Sequence, residues 1–195
     1  MGNSSEEQKA RWDRKYTDGL PMLTEPDPFF ISAYEKFVVQ SFPEAGTALD
    51  LAGGIGRHAL WLASRGWQVT VVDVSDVAIA RLSRSAQELG KKLELLVADA
   101  SEYEFEPVRF DLILFFFHLD RSLFPKLASA LKTGGLLVCK MRLRWISDAL
   151  AGPVPLNTDP LKRDEMPSLV PEMQVLYHRE RPLHGRGVVE FVAKK

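Results

Sequence analysis

The chain has a single cysteine, Cys139. No internal disulfide and no cysteine-ligated zinc site can be built from it. One thiol fits a reducing compartment, and a cytoplasmic location is expected. Charge of one sign is also missing: 25 Lys and Arg stand against 26 Asp and Glu, a net charge of -1. A strongly electrostatic nucleic-acid binder shows a basic excess, so no nucleic-acid partner is expected. The longest apolar run, Leu112 to Phe117, is far too short for a membrane span, and no membrane partner is expected. The first residues carry no apolar leader, and Glu6 stands where a myristoylation pattern needs Ser or Thr. Residues 1–5 are expected to be disordered. Internal repeats and low-complexity tracts are absent. No two histidines have metal-ligand spacing, so no metal is expected.

What remains is an alternation of short apolar runs with helical periodicity. Thr47–Leu51, Gln68–Val72, Leu93–Val97, Phe110–Phe116 and Gly135–Met141 read as strands. Between them, Arg57–Arg65, Asp76–Leu89 and Arg121–Leu131 carry apolar residues at helical spacing. Buried strands alternating with helices predict an α/β, Rossmann-like, doubly wound parallel sheet. Two further strands, Met173–Arg179 and Gly187–Ala193, are joined by a short link, Glu180–Arg186. A short link demands an antiparallel hairpin.

One structural domain is expected, with two regions outside the core. Residues 1–46 form an N-terminal helical lid of two amphipathic helices, one ending in Trp12 and Tyr16, the other carrying Phe30, Ala33, Tyr34, Phe37 and Val38. Residues 47–195 form the core. Within it, the stretch from 144 to 171 holds five prolines and reads as a loop on the substrate side, with one short helix.

The sharpest signal is Asp50-Leu51-Ala52-Gly53-Gly54-Ile55-Gly56, between a strand and a helix. Glycines there let the backbone approach a ligand, and the following helix points free N–H groups at it. The bland alternative is a tight turn of an α/β protein. Asp73 closes the second strand, 17 residues after Gly56, and a carboxylate there can accept from both hydroxyls of a ribose. Ser75 and Asp76 can cap the next helix, which leaves Asp73 free for a ligand. Asp99 closes the third strand in the same way. Three acids at successive strand ends lie at the edge where such sheets bind ligands.

On these residues the chain resembles the class I S-adenosylmethionine-dependent methyltransferases, most strongly over residues 45–141. The stretch from Leu49 to Ser75 looks like the small TehB-like (tellurite-resistance-type) branch. The leading W-D-R-K-Y, the P-D-P-F-F before the core, the F-F-F-H-L-D-R-S-L-F-P and the closing V-L-Y-H-R-E are similar too. The resemblance implies a seven-stranded sheet of order 3-2-1-4-5-7-6 and S-adenosyl-L-methionine as cofactor, with S-adenosyl-L-homocysteine as product. It implies that Asp50, Ala52, Gly53, Gly54 and Gly56 wrap the methionine part. Asp73 would hold the ribose and Val74 lie beside the adenine. Asp99 and Ala100 would bond the adenine ring. Phe116 and His118 would flank the sulfonium, and Trp12 and Tyr16 would close over the site. Two departures stand out. Ala52 replaces the first glycine of the family turn, a change expected to be minor. Cys139-Lys140-Met141-Arg142 is more basic than the branch leads one to expect.

Methyl transfer needs alignment and exclusion of water, and needs a base only for a protonated acceptor. His118 is the candidate base, the bland alternative being a loop-facing histidine. His58 reads as a structural group at a helix start, and His178 and His184 as surface positions. Phe29, Phe30 and Phe117 read as packing. With no Asn/Asp-Pro-Pro-Tyr and no Pro-Cys pair, a small-molecule methyl acceptor (a thiol, a chalcogen or another small nucleophile) is expected. Oligomeric state is unreadable. Two competing readings stay open. Gly54, Gly56 and Ala59 also satisfy a dinucleotide fingerprint, which would suit a nicotinamide-dependent oxidoreductase. A non-catalytic cofactor-binding module is the other.

Overall fold

A computed structural model describes residues 5–18, 24–144, 160–183 and 186–195. Seven strands form one sheet of order β3-β2-β1-β4-β5-β7-β6. The strands are β1 (Thr47–Leu51), β2 (Gln68–Asp73), β3 (Leu93–Val97), β4 (Phe110–Phe116), β5 (Leu131–Leu143), β6 (Gln174–Leu183) and β7 (Arg186–Lys194). The first five pair in parallel, and β7 runs antiparallel to both β5 and β6. The α/β sheet and its antiparallel ending are as expected. The order of strand addition reverses at β1, so β2 and β4 flank it and the carboxyl ends of β1 and β4 open a crevice between them.

The six α-helices of the described residues are α1 (Ser5–Thr17), α2 (Pro28–Ala33), α3 (Val39–Ser41), α4 (Arg57–Ala63), α5 (Asp76–Glu88) and α6 (Leu123–Ala130). A π-helical stretch, Tyr34–Val38, joins α2 to α3. Alternate residues of β4 supply the two faces of the sheet. Ile113 and Phe115 join a cluster with Phe124 and Leu127 of α6, while Leu112, Leu114 and Phe116 join one with Phe30, Leu62 and Leu82 from the other side. Both faces are therefore covered, which is why β4 carries no alternating polar residues.

Several boundaries differ from expectation for physical reasons. Ser5 lies inside α1, so the expected disorder of residues 1–5 does not extend to it; residues 1–4 fall outside the described residues. Glu6 and Glu7 sit in the first turn, where the helix dipole favours negative charge. The strand β5 begins at Leu131, four residues early, because Leu131 pairs with Phe110 before a register shift. Gly134 takes φ 82° within that irregular start. The strands β6 and β7 are longer than read, and the link between them falls on residues 184–185, outside the described residues. Pro182 continues β6 because an edge strand has a free side that needs no N–H. Of the loop expected over 144–171, residues 145–159 lie outside the described residues. Leu161 bridges to Leu143, and Met166–Leu169 forms a 3-10 turn whose Met166 is buried.

Candidate active site

The turn after β1 bends through three left-handed residues, Ala52 (φ 55°), Gly54 (φ 58°) and Gly56 (φ 70°). Ala52 is the least comfortable of them. A non-glycine residue in that region costs about 1–2 kcal/mol, so this departure from the family turn is not minor. Gly53 has no room for a side chain, since a Cβ would meet Asp50 Cγ at 2.9 Å. At Gly54 a Cβ would meet the Tyr16 hydroxyl. Helix α1 therefore rests Tyr16 directly on the turn.

Asp50 lies beneath that turn, 1% exposed, and its Oδ2 has no hydrogen-bond partner. Burial pushes its carboxyl up to about 7, with nearby Arg57 pulling down and Asp73 pushing up. A buried carboxylate in a cavity wall, with one oxygen unpartnered, fits a cationic group such as an α-ammonium. Asp73 accepts from Gly54 N–H through Oδ2 (2.7 Å) and from Ser75 N–H through Oδ1 (2.9 Å). Each oxygen keeps a lone pair for a further donor. Ser75 caps α5 by accepting from Ala78 N–H, as its position suggested. Burial would raise Asp99, but Ser101 donates to it from both its backbone N–H and its hydroxyl and holds it below its usual value.

These acids line one cavity of about 310 Å³, together with Trp12, Tyr16, Ala52, Gly53, Gly54, Val74, Ala100, Phe116 and His118. Of the thirteen residues singled out from the sequence, only Gly56 is off the wall. It caps the start of α4, and a Cβ there would run into the Leu82 side chain. Gly56 therefore serves helix packing, and the fingerprint match of Gly54, Gly56 and Ala59 loses the residue that would face a dinucleotide. Phe29 and Phe30 pack as expected, but Phe117 does not. It is 41% exposed, takes φ 58° and lines the cavity. Gln8, Lys15, Ile55 and Arg57 also line it and were missed; Ile55 and Arg57 sat in the turn itself and carried a signal by position.

His118 feels Asp99, Asp120 and Asp73, yet burial outweighs them and lowers its pKa, which favours the neutral ring. His58 is buried, lowered by burial to about 3, and its Nε2 accepts from Asp27 N–H at 3.2 Å. It also lines the cavity, beyond its reading as a structural group. Trp12 stacks on Tyr16 with ring centroids 5.9 Å apart, and Lys15 Nζ sits 4.2 Å from the Trp12 centroid.

The basic stretch in β5 has a structural explanation. Lys140 is 3% exposed, and its Nζ donates to both oxygens of Asp27 at 2.9 and 3.0 Å. Glu190 lies 3.5 Å away and is itself bound by Arg181. Asp27 caps α2 by accepting from Phe29 N–H. Lys140 thus fastens the start of α2 to the sheet.

Residues 48–135 match the family model described as "Methyltransferase domain". A curated relative, 23S rRNA (uracil(747)-C(5))-methyltransferase of Pyrococcus abyssi, is 34% identical over 79 residues, 38% of this chain and 19% of that protein. The chain spans only a fifth to a quarter of the length of the curated relatives it matches. Among solved structures, the [4+2]-cyclase SpnF superposes with a TM-score of 0.80 at 15% identity, covering 100% of this chain and 97% of that one. The Burkholderia thailandensis 1,6-didemethyltoxoflavin-N1-methyltransferase, with bound S-adenosylhomocysteine, gives 0.74 at 18% identity over 100% and 91%. TehB from Haemophilus influenzae gives 0.71 at 17% identity over 94% and 67%. At such identities these structures speak for the fold alone. The sheet order, the glycine turn over a buried aspartate and the matched segment converge: residues 48–135 match a methyltransferase domain, and the chain has the sheet of the class I S-adenosylmethionine-dependent methyltransferase fold.

Proposed function

We propose that the chain moves a methyl group from S-adenosylmethionine to a small-molecule acceptor. The observation that carries this is the row of three acids at successive strand ends, with the unpartnered Asp50 Oδ2 among them. In this reading Asp50 takes the α-ammonium, and Ala52, Gly53 and Gly54 bend around the methionine chain. Asp73 accepts from the ribose hydroxyls and Val74 packs against the adenine. Asp99 accepts from the adenine amino group, and the Ala100 N–H donates to the ring. Phe116 presents a π face beside the sulfonium, where a cation is stabilised. Trp12 and Tyr16 exclude water from above. When bound, the cofactor would supply an electrophilic methyl on a cationic sulfonium, whose sulfur leaves as a neutral thioether. His118, held neutral, takes the proton of an acceptor that arrives protonated.

The acceptor is a thiol, a chalcogen anion or another small nucleophile, bound between the lid and the mouth at Phe117. A pyrimidine carbon, as in the Pyrococcus relatives, suits these residues poorly. Activating such a carbon takes an accessible thiolate, and Cys139 is fully buried in β5 with its pKa pushed up by burial. A panel of thiols, selenite, tellurite and small amines, scored by S-adenosylhomocysteine release, tests the proposal. Turnover with one class is expected. Tight cofactor binding with no turnover on any member would instead favour a non-catalytic module.

Asp50 gives the same reading a pH signature. Its carboxyl is protonated below about pH 7 in the free chain, and an ammonium needs the ionised form. Affinity for S-adenosylhomocysteine should fall about tenfold per unit below pH 7, with proton release on binding. Stability of the free chain should fall as pH rises from about 4 to 7, because the folded state holds a proton the unfolded state has lost. Calorimetry in buffers of different ionisation enthalpy measures the release. A flat affinity profile would remove Asp50 from the ammonium.

A further inference from the structure

Asp164, His178 and Glu180 meet on the sheet face opposite the lid. His178 and Glu180 are two apart on β6 and so share a face. That face is the one of Phe191, whose ring centroid is 5.9 Å from that of His178. The segment after Leu161 crosses the same face and brings Asp164 against β6, where its N–H donates to Glu180 Oε1 at 2.7 Å. The Glu180 side chain is only 8% exposed. His178 Nε2 is buried, makes no hydrogen bond, and lies 3.4 Å from Glu180 Oε1. One ligand atom from each of the three residues falls within 4.8 Å of the others.

A buried ring nitrogen without a partner is costly, and here it faces a nearly buried carboxylate. A divalent cation between them would satisfy both. We propose that Asp164, His178 and Glu180 form a three-ligand site for a divalent transition-metal ion of the zinc type, open at a fourth position. The donor set decides the class. Calcium and magnesium prefer all-oxygen shells, whereas an imidazole with carboxylates suits zinc and its neighbours. Geometry agrees. Ligands about 2.1 Å from a tetrahedral ion stand about 3.4 Å apart, the separation of His178 Nε2 from Glu180 Oε1. Asp164 is exposed, so a rotation of its side chain closes the longer gap. Arg163 Nε stands 3.5 Å from Glu180 Oε2 and is compatible, because it uses the other carboxylate oxygen. The ion would staple the segment before β6 onto the edge of the sheet, which makes the site independent of the cavity that holds the cofactor.

Zinc chloride titrated into the untagged chain, by calorimetry and by melting, tests this, with magnesium chloride as the comparison. One zinc per chain is expected, with a melting rise of about 5 °C or more at a hundredfold excess over Kd. Asp164→Asn tolerates the left-handed backbone (φ 58°) and keeps the N–H bond. It should leave the metal-free melting temperature unchanged and weaken zinc at least tenfold. His178→Gln should do the same to zinc affinity. Absence of zinc binding overturns the proposal. So does an affinity that neither variant lowers, which would put the ion elsewhere, or a response to magnesium as large as that to zinc.

Discussion

Lys140→Ala is expected to destabilise the chain by about 3–5 kcal/mol, the scale of a buried ion pair stripped of one partner. Its ammonium is nearly inaccessible and bridges Asp27 and Glu190. Removing it leaves Glu190 paired with Arg181, but leaves Asp27 without its close ammonium, with Arg57 3.9 Å away. For a chain of this size the melting temperature should drop by about 10 °C. The double variant Lys140→Met with Asp27→Asn removes both charges and keeps a helix cap, and should recover most of the loss. Urea unfolding of the single and double variants measures it. A loss below about 1 kcal/mol for Lys140→Ala would rank the pair with exposed ones and remove its role as the anchor of α2.

Asp73→Ala should weaken S-adenosylhomocysteine binding about ten- to a hundredfold. The side chain would supply two charge-assisted acceptors to the ribose, together about 1.5–3 kcal/mol. It also holds Gly54 N–H, so its loss loosens the turn that wraps the methionine part. Asp73→Asn keeps one acceptor oxygen and should fall between the two. Calorimetry that finds Asp73→Ala binding as the parent does would take the ribose away from this residue.

The sheet was legible in the sequence because continuous apolar runs and helical spacing are local signals. Leu93–Val97 and Phe110–Phe116 came out to the residue. The edges were less legible. Pro182 and the charges around it argue against a strand in isolation, and only the edge position of β6 makes them tolerable. The cavity wall was readable where it follows strand ends, as at Asp50, Asp73 and Asp99. It was not readable where it depends on packing between distant segments. The resemblance carries Gly56 to the ligand, and the sequence alone does not distinguish a glycine facing a ligand from one packed on Leu82. Lys140 looked like a departure in the acceptor region, since its partner Asp27 lies 113 positions away. The cluster at Asp164, His178 and Glu180 has no spacing signature at all, because one member comes from a crossing segment.

Every role given to the strand-end acids depends on S-adenosylmethionine filling this cavity. Calorimetric titration of the parent chain with S-adenosylhomocysteine, and separately with NADH, tests it most directly. One S-adenosylhomocysteine per chain is expected, bound more weakly as pH falls below 7, with no heat from NADH. Binding of NADH with no binding of S-adenosylhomocysteine would contradict it.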